Sequence, residues 1–182
     1  MGHKNTIVAA TLIGMITAAG ASAQVDLDVD SVNNLSQLTG HVTQDLKVDT
    51  EDDWFGAAIV LELDEGSIYQ DGFGNDTAPD PYFFSYYPSL EFDTYMAGGS
   101  MGVGVLGPGG DAGGHDQQFD DERLDASWKS NGSNEIGVTQ IARITLSDDA
   151  AGRWRLAVFQ SGDETRYDFS GTITDGVMTI DP

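Results

Sequence analysis

Oxygen-bearing side chains cluster in one short, glycine-containing segment of this sequence. Asp71, Asn75 and Asp76 fall within six residues that also include two glycines, and Asp80 follows four residues later. Calcium binds about six to eight oxygen atoms that must converge without strain, and short carboxylates in loops can supply them. We therefore predict a calcium site formed by Asp71, Asn75, Asp76 and Asp80, completed by backbone carbonyls and a second loop. A metal-free Asp-Gly turn explains the same residues and stays open as the alternative.

A second acidic group, formed by Asp111, Asp116, Asp120 and Asp121, is the alternative cation site. Its spacing is looser, and ordering the neighbouring glycines would cost more conformational entropy. Asp outnumbers Glu by 23 to 7 and Lys is scarce, so the carboxylates could instead serve solubility or adaptation to high salt. Both roles can hold at once.

The sequence matches a serine-hydrolase motif, but we do not favour this interpretation. Residues 98–102 match the letters of a nucleophile elbow around Ser100, and Asp111 and His115 follow in hydrolase order. That motif needs a strand before the serine and a helix after it. The glycine-rich residues that follow cannot form this helix, so we interpret the match as a consequence of glycine abundance.

Paired carboxylates suggest a glycosidase as a second catalytic hypothesis. Glu62 with Glu65, or Glu91 with Asp93, could form such a pair, since glycosidases use two acids flanking the bond that they cleave. Glu91 and Asp93 would lie on one strand face, about 7 Å apart. A solvated acidic face explains both pairs more simply, so we expect a protein that is not an enzyme.

Five aromatic residues lie close together between Pro81 and Pro88. Exposed aromatic rings on a β-sandwich can stack against sugar rings, which have flat apolar faces. The favoured interpretation is different, because Phe83 and Phe84 carry no hydroxyl group to keep them hydrated. The sequence therefore predicts that this segment folds over one end of the protein and covers its core.

Composition limits the partners that these residues could serve. The 182 residues include 30 acidic and 8 basic side chains, which gives a net charge of −22. Nucleic acids need Lys and Arg to replace phosphate counterions, and an anionic membrane surface also attracts basic segments, so both are disfavoured as partners. The absence of Cys excludes disulfides, thiolate zinc sites and cysteine nucleophiles. A hydrophobic fraction of 40% is sufficient for one folded domain.

The first residues have the features of a secretory signal peptide. His3 and Lys4 precede an apolar segment that is too short to span a membrane comfortably. Residues 21–23, Ala-Ser-Ala, then provide the small-x-small pattern for cleavage before Gln24. We expect a signal peptide over 1–23, a domain over 24–182, and a secreted or cell-surface location.

The rest of the chain is dominated by alternation of apolar and polar residues, which is typical of strands. Strands are predicted over 25–30, 40–48, 57–63, 90–95, 124–128, 142–146, 154–159, 167–173 and 177–180. About nine short strands and two long loops, residues 71–88 and 98–114, predict a single all-β domain, a β-sandwich or jelly roll. Residues 174–176 predict a tight Asp-Gly turn, and residues 147–152 a hairpin loop with Gly152 at positive φ. Trp154, in phase with Leu156, is predicted to be buried.

A family resemblance is carried by residues 34–40, 53–57, 66–71, 88–95, 141–146 and 175–176. Together these segments resemble a group of uncharacterised exported bacterial proteins, many of which are surface proteins with a PEP-CTERM sorting tail. The resemblance implies an exported β-sandwich and attaches no activity to it. Pro182 follows no Pro-Glu-Pro motif or apolar span, so anchoring by that route is not expected. A fainter similarity to cohesin-like sandwiches rests on the strand pattern.

These features predict a non-catalytic extracellular structural or binding module, stabilised by calcium. The alternative is an extracellular carbohydrate-binding or carbohydrate-active jelly-roll protein. The expected partner of this protein is an extracellular polysaccharide or a surface protein. An exposed aromatic patch would favour sugar binding, whereas two buried carboxylates facing each other across a groove would favour an enzyme.

Overall fold

A computed structural model describes residues 25–34, 37–97, 104–105, 118–129, 136–160 and 165–182, and the structural statements below refer to these residues. Several sequence predictions lie outside them. These are the signal peptide over 1–23, the nucleophile-elbow letters over 98–102, most of the loop over 98–114, and residues Asp111, His115 and Asp116.

The protein is all-β, as predicted, and every pairing between its strands is antiparallel. Two 3-10 helical turns, Pro81–Ser85 and Pro88–Phe92, interrupt the strands. The strands are β1 Val25–Val32, β2 His41–Thr50, β3 Trp54–Glu65, β4 Tyr95–Met96, β5 Gly104–Val105, β6 Gln118–Phe119, β7 Arg123–Lys129, β8 Gly137–Ser147, β9 Ala151–Gln160, β10 Arg166–Thr174 and β11 Val177–Ile180.

Two sheets form a β-sandwich. One has the order β1-β2-β8-β4, and the other has the order β11-β10-β9-β3-β7-β5, with β6 also paired to β7. Alternate side chains from both sheets pack between them, because successive residues of a strand face opposite sides. The core includes Leu46, Ile59, Ile144 and Leu156. Trp154 is only 1% exposed, which confirms the prediction that it is buried.

The hairpin prediction for residues 147–152 is wrong. β8 and β9 belong to different sheets, so this segment carries the chain from one sheet to the other. Gly152 does not have a positive φ. It is a glycine because β9 and β3 approach closely there: a Cβ atom would lie 2.2 Å from the Glu62 carbonyl oxygen.

The predicted Asp-Gly turn between the last two strands is confirmed. Asp175 and Gly176 both have positive φ, 52° and 73°, and Thr174 pairs with Val177. This conformation suits a two-residue hairpin, because its twist matches the twist of the strands.

The strand predicted over 90–95 is also wrong. Pro88 begins a 3-10 turn that ends at Phe92, and only Tyr95 and Met96 join a sheet. Proline suits the first position of such a turn because its φ is fixed and its missing N–H is not needed there. Leu90 and Phe92 are buried against the outer side of the four-stranded sheet. The middle of β8, around Arg143 and Thr145, is therefore covered on its outer face as well.

Candidate functional site

The segment Pro88–Phe92 and the residues after it are fixed to β8 by buried polar contacts. The Thr145 hydroxyl donates to the Phe92 carbonyl at 2.6 Å, and the Thr145 N–H donates to the Thr94 hydroxyl at 3.0 Å. Arg143 donates from Nη1 to the Glu91 carbonyl at 2.6 Å. Buried hydrogen-bonding groups need partners, and here the covering segment and the strand satisfy one another.

A buried ion pair lies under the same segment. Arg143 contacts Asp45 through two hydrogen bonds, Nε to Oδ1 at 2.7 Å and Nη2 to Oδ2 at 2.9 Å. The two side chains are only 14% and 10% exposed. The Arg143 guanidinium also lies 5.6 Å from the centre of the Tyr95 ring. This bidentate geometry fixes both groups in one orientation and so positions the segment above them.

Asp93 anchors the preceding loop at its base. Its Oδ1 accepts a hydrogen bond from the Asp71 N–H at 2.8 Å, and Asp93 is buried, with only 1% of its surface exposed. Gly74 packs directly against the other oxygen: a Cβ atom at this position would lie 1.8 Å from Asp93 Oδ2. The loop over 71–75 therefore wraps around the Asp93 carboxyl group, and only glycine fits at position 74.

Asp71, the first residue of the predicted calcium site, holds the loop together from within. Its carboxylate accepts hydrogen bonds from the Ser89 hydroxyl at 2.6 Å, the Tyr69 hydroxyl at 3.2 Å and the Phe73 N–H at 2.9 Å. Burial opposes ionisation, but these hydrogen bonds outweigh it and lower the pKa of Asp71. The carboxylate is thus an ionised acceptor that joins Phe73 of the loop to Tyr69 and Ser89 on either side of it.

The other predicted calcium ligands lie in the same loop. Asn75 Oδ1 accepts from the Thr77 N–H at 2.8 Å, and Asp80 Oδ1 accepts from the Tyr82 N–H at 2.9 Å, where it caps the first 3-10 turn. Asp76 contributes its backbone carbonyl to the Met96 N–H at 3.0 Å. Across the described ranges, no group of three or more His, Asp or Glu side chains is placed to hold a metal ion. The calcium site stays a prediction from the sequence.

Only half of the alternative cation site falls in the described chain. Asp120 Oδ1 accepts hydrogen bonds from the Glu122 and Arg123 N–H groups, at 3.0 and 2.8 Å. The Asp121 backbone carbonyl accepts from the Ile68 N–H at 2.7 Å. Asp120 therefore shapes the turn that enters β7.

The strand face expected to carry Glu91 and Asp93 does not form. Glu91 lies in a 3-10 turn, so it does not share a strand face with the buried Asp93. Glu62 forms an ion pair with Arg123 on the outer side of the seven-stranded sheet.

The aromatic segment is exposed, and the prediction that it covers the core is wrong. We define the aromatic surface as the exposed rings of this loop, which are between 39% and 69% exposed. Leu90 and Phe92 cover the sheet instead, and the 3-10 turn Pro81–Ser85 has no buried residue. The aromatic surface consists of Phe73, Tyr82, Phe83, Tyr86 and Tyr87.

The rings of the aromatic surface contact one another in two connected groups. Phe73 stacks on Tyr87, with ring centres 4.3 Å apart and an angle of 30° between the planes. Tyr82 meets Phe83 edge to face at 5.5 Å and Tyr86 at 5.8 Å. Aromatic pairs prefer such geometries, which stabilise an exposed set of rings. Phe73 was missed from the sequence; its signal was a lone aromatic residue in an otherwise polar loop.

Comparison with known proteins does not assign this site. No protein-family model matches the chain, and no curated protein matches it. Within the described ranges, no helix is long and apolar enough to cross a membrane.

Asp93 should make the stability of the fold depend on pH. Burial raises the pKa of Asp93 from its ordinary value of 3.8 to about 6, and the nearby Asp71 carboxylate adds to this, while backbone N–H groups oppose it. Because the folded state binds the proton more tightly, this group stabilises folding below pH 4 and loses that contribution as the pH rises to 6. The shift of about two units corresponds to about 3 kcal/mol.

We therefore expect Asp93→Asn to be more stable than the wild type at pH 7, by up to about 3 kcal/mol, and to differ little at pH 4. Urea unfolding at both pH values measures the difference. Asp28→Asn, at an exposed position of β1, is the matched control for loss of one negative charge. An advantage of Asp93→Asn that is equal at both pH values, or no larger than that of Asp28→Asn, would contradict the assignment.

Proposed function

We propose that this protein is a non-catalytic β-sandwich, secreted or displayed at the cell surface, that binds an extracellular polysaccharide through its aromatic surface. The observation that supports this most directly is the exposure of five aromatic rings from a loop that is fixed at its base. The secretory features of residues 1–23 support the extracellular location. Stabilisation by calcium stays part of the proposal from the sequence.

The chemistry of the aromatic surface suits a neutral sugar chain. Aromatic rings stack on the apolar faces of pyranose rings, while hydroxyl groups at the rim bind the sugar hydroxyls. Tyr82, Tyr86 and Tyr87 provide both a ring and a phenolic hydroxyl. A neutral glycan carries no charge, so the net charge of −22 does not repel it.

The fixed loop base also favours binding. The hydrogen bonds of Asp71, Asp80 and Asp93 hold the loop backbone in one conformation before a ligand arrives. Binding to a preorganised surface avoids the entropic cost of ordering a loop. Exposing so many large rings without a partner would favour aggregation, which is a further reason to assign this surface a ligand.

The test is a glycan array followed by calorimetric titration of the best neutral oligosaccharide. We expect Tyr82→Ala and Tyr86→Ala each to weaken binding about fivefold, because a stacked ring contributes on the order of 1 kcal/mol. Both residues are more than 60% exposed, so neither variant should unfold the protein.

Phe55→Ala is the matched control, since Phe55 is an exposed aromatic residue at the start of β3 and outside the aromatic surface. Its affinity should equal that of the wild type. Failure of every neutral glycan to bind would contradict the proposal. So would an equal loss of affinity in Phe55→Ala and Tyr82→Ala.

A further inference from the structure

The outer side of the seven-stranded sheet differs in charge from the rest of the molecule. Five of the seven basic residues beyond position 24 lie on its outward-facing rows, together with the acidic residues Glu62, Asp125, Asp168 and Asp181. The chain as a whole has 30 acidic and 8 basic residues. This face is therefore much less acidic than the rest of the protein. The basic residues are Arg123, Lys129, Arg153, Arg155 and Arg166.

Two of these arginines have no ionic partner among the residues that the structure describes. Arg123 contacts Glu62 and Asp125, and Arg166 contacts Asp168 at 2.6 Å. Arg153 and Arg155 form no ion pair or side-chain hydrogen bond with any described residue. On a protein with so many carboxylates, two unpaired neighbouring guanidinium groups are available to an anion from outside.

A groove runs beside these two arginines. Two adjoining hollows of about 370 and 450 Å³ share Val60, Arg155 and Ser170 in their walls. The floor is made of small outward-facing residues, because Ala157 pairs with Ala58 across β9 and β3. Small side chains at these positions leave the open space.

The register of the strands sets the spacing of the charges. Arg153 and Arg155 alternate on one face of β9, so their Cα atoms are about 7 Å apart along the groove. Arg153 lies opposite Thr172 and Arg155 opposite Ser170, both on β10. The walls thus offer two guanidinium groups and two hydroxyl groups in adjacent rows. Two acidic residues, Glu62 and Asp181, also line the groove near Arg153. Arg123 forms an ion pair with Glu62, and the Ser170 hydroxyl donates a hydrogen bond to Asp181.

We propose that this groove binds an acidic polysaccharide, with Arg153 and Arg155 each contacting one carboxylate or sulfate group of successive sugar units. The planar guanidinium group binds such oxyanions through two hydrogen bonds, and hydroxyls of the groove suit those of a sugar. The site is separate in sequence and in strand location from the aromatic surface. Its proposed ligand is anionic, whereas the ligand proposed for the aromatic surface is neutral.

The remaining surface restricts the kind of anion that the groove accepts. A long, densely charged polymer such as DNA needs many Lys and Arg contacts to release its counterions. It would extend past the two arginines and lie against carboxylates. A sugar chain with more widely spaced charges can place its anionic groups on the arginines alone. Electrostatic repulsion beyond about 8 Å is screened at 0.15 M salt, so the local attraction should dominate under those conditions.

The experiment is titration of the protein at 0.15 M NaCl with polygalacturonate, dextran sulfate and neutral dextran. We expect binding to at least one of the two acidic polymers and none to dextran. Arg153→Gln and Arg155→Gln should each weaken that binding about tenfold, since a charged hydrogen bond contributes on the order of 1.5 kcal/mol. Both positions are exposed, so the variants should stay folded. Binding of polygalacturonate alone assigns a carboxylated ligand, and binding of dextran sulfate alone a sulfated one.

Lys47→Gln is the matched control, because it also removes one positive charge but lies on the four-stranded sheet, paired with Asp30. Its affinity should match that of the wild type, as should that of Tyr82→Ala, which tests the aromatic surface separately. Absence of binding to both acidic polymers would overturn the proposal, as would equal losses in Lys47→Gln and Arg155→Gln. Tighter binding of a DNA duplex than of either polymer would overturn it too. So would self-association of the wild type that both arginine variants abolish, since the groove would then hold a second copy of the chain.

Discussion

Trp154→Ala is expected to lower the free energy of unfolding by about 3–5 kcal/mol, because it removes a large buried side chain and leaves a cavity. The ring is 1% exposed at the centre of the seven-stranded sheet. It packs over Gly171 on β10, where a Cβ atom would lie 2.6 Å from the Trp154 ring. Urea unfolding at pH 7 measures the change.

Two further variants separate burial from aromatic character. Trp154→Phe should cost less than half as much, because it keeps part of the volume and removes an indole N–H that has no hydrogen-bond partner in the described chain. Tyr82→Ala removes an aromatic ring that is 67% exposed, and its effect should stay within about 0.5 kcal/mol. A Trp154→Ala variant as stable as Tyr82→Ala would show that the phase of β9 is wrong.

The sequence predicted best those strands that have one buried and one wet face. In β9, Trp154 and Leu156 face the core while Arg153 and Arg155 face solvent, so alternation identified both the strand and its phase. Local patterns sufficed there because each residue meets the same surroundings, core or water, as its neighbour two positions away.

The prediction failed where a distant segment covers a sheet. Thr145 and Asp45 occupy outward positions of β8 and β2, and by alternation they should be solvated. Both are buried because the residues from Pro88 onward pack over them. The sequence of β8 alone does not predict that its outer face is buried by another segment. The same packing explains why Asp93 is buried and why Leu90 and Phe92, rather than the tyrosines, seal the sheet.

The overall composition of the chain also fails to predict the local charge of the candidate sites. A net charge of −22 describes the whole chain and hides the arginines on the outer face of the seven-stranded sheet. The signal was present as Arg153 and Arg155, two arginines in phase on one strand. Their neighbours across the sheet, Glu62 opposite Arg153 and Ser170 opposite Arg155, depend on the register of β9 against β3 and β10. The acidic loop was found, yet the roles of Asp71 and Asp80 in capping backbone N–H groups depend on its folded path.

Asp45→Ala is expected to destabilise the fold by about 3–5 kcal/mol, although it removes only a small polar side chain. Truncation leaves the Arg143 guanidinium buried beneath the covering segment without its carboxylate, and an uncompensated buried charge is costly. Arg143 also donates to the Glu91 carbonyl, so its displacement would loosen the segment that carries the aromatic surface. Urea unfolding gives the stability, and titration with the neutral glycan gives the effect on that surface.

Asp168→Ala is the matched control, since Asp168 pairs with Arg166 at a position where the side chains are 64% and 59% exposed. Water screens that pair, so its loss should cost no more than about 1 kcal/mol. A double variant, Asp45→Leu with Arg143→Met, should recover part of the stability lost in Asp45→Ala, because apolar residues can replace a buried ion pair without leaving a lone charge. If Asp45→Ala and Asp168→Ala are equally mild, the covering segment does not exclude water from Arg143, and the loop that presents the aromatic rings is held by its other contacts alone.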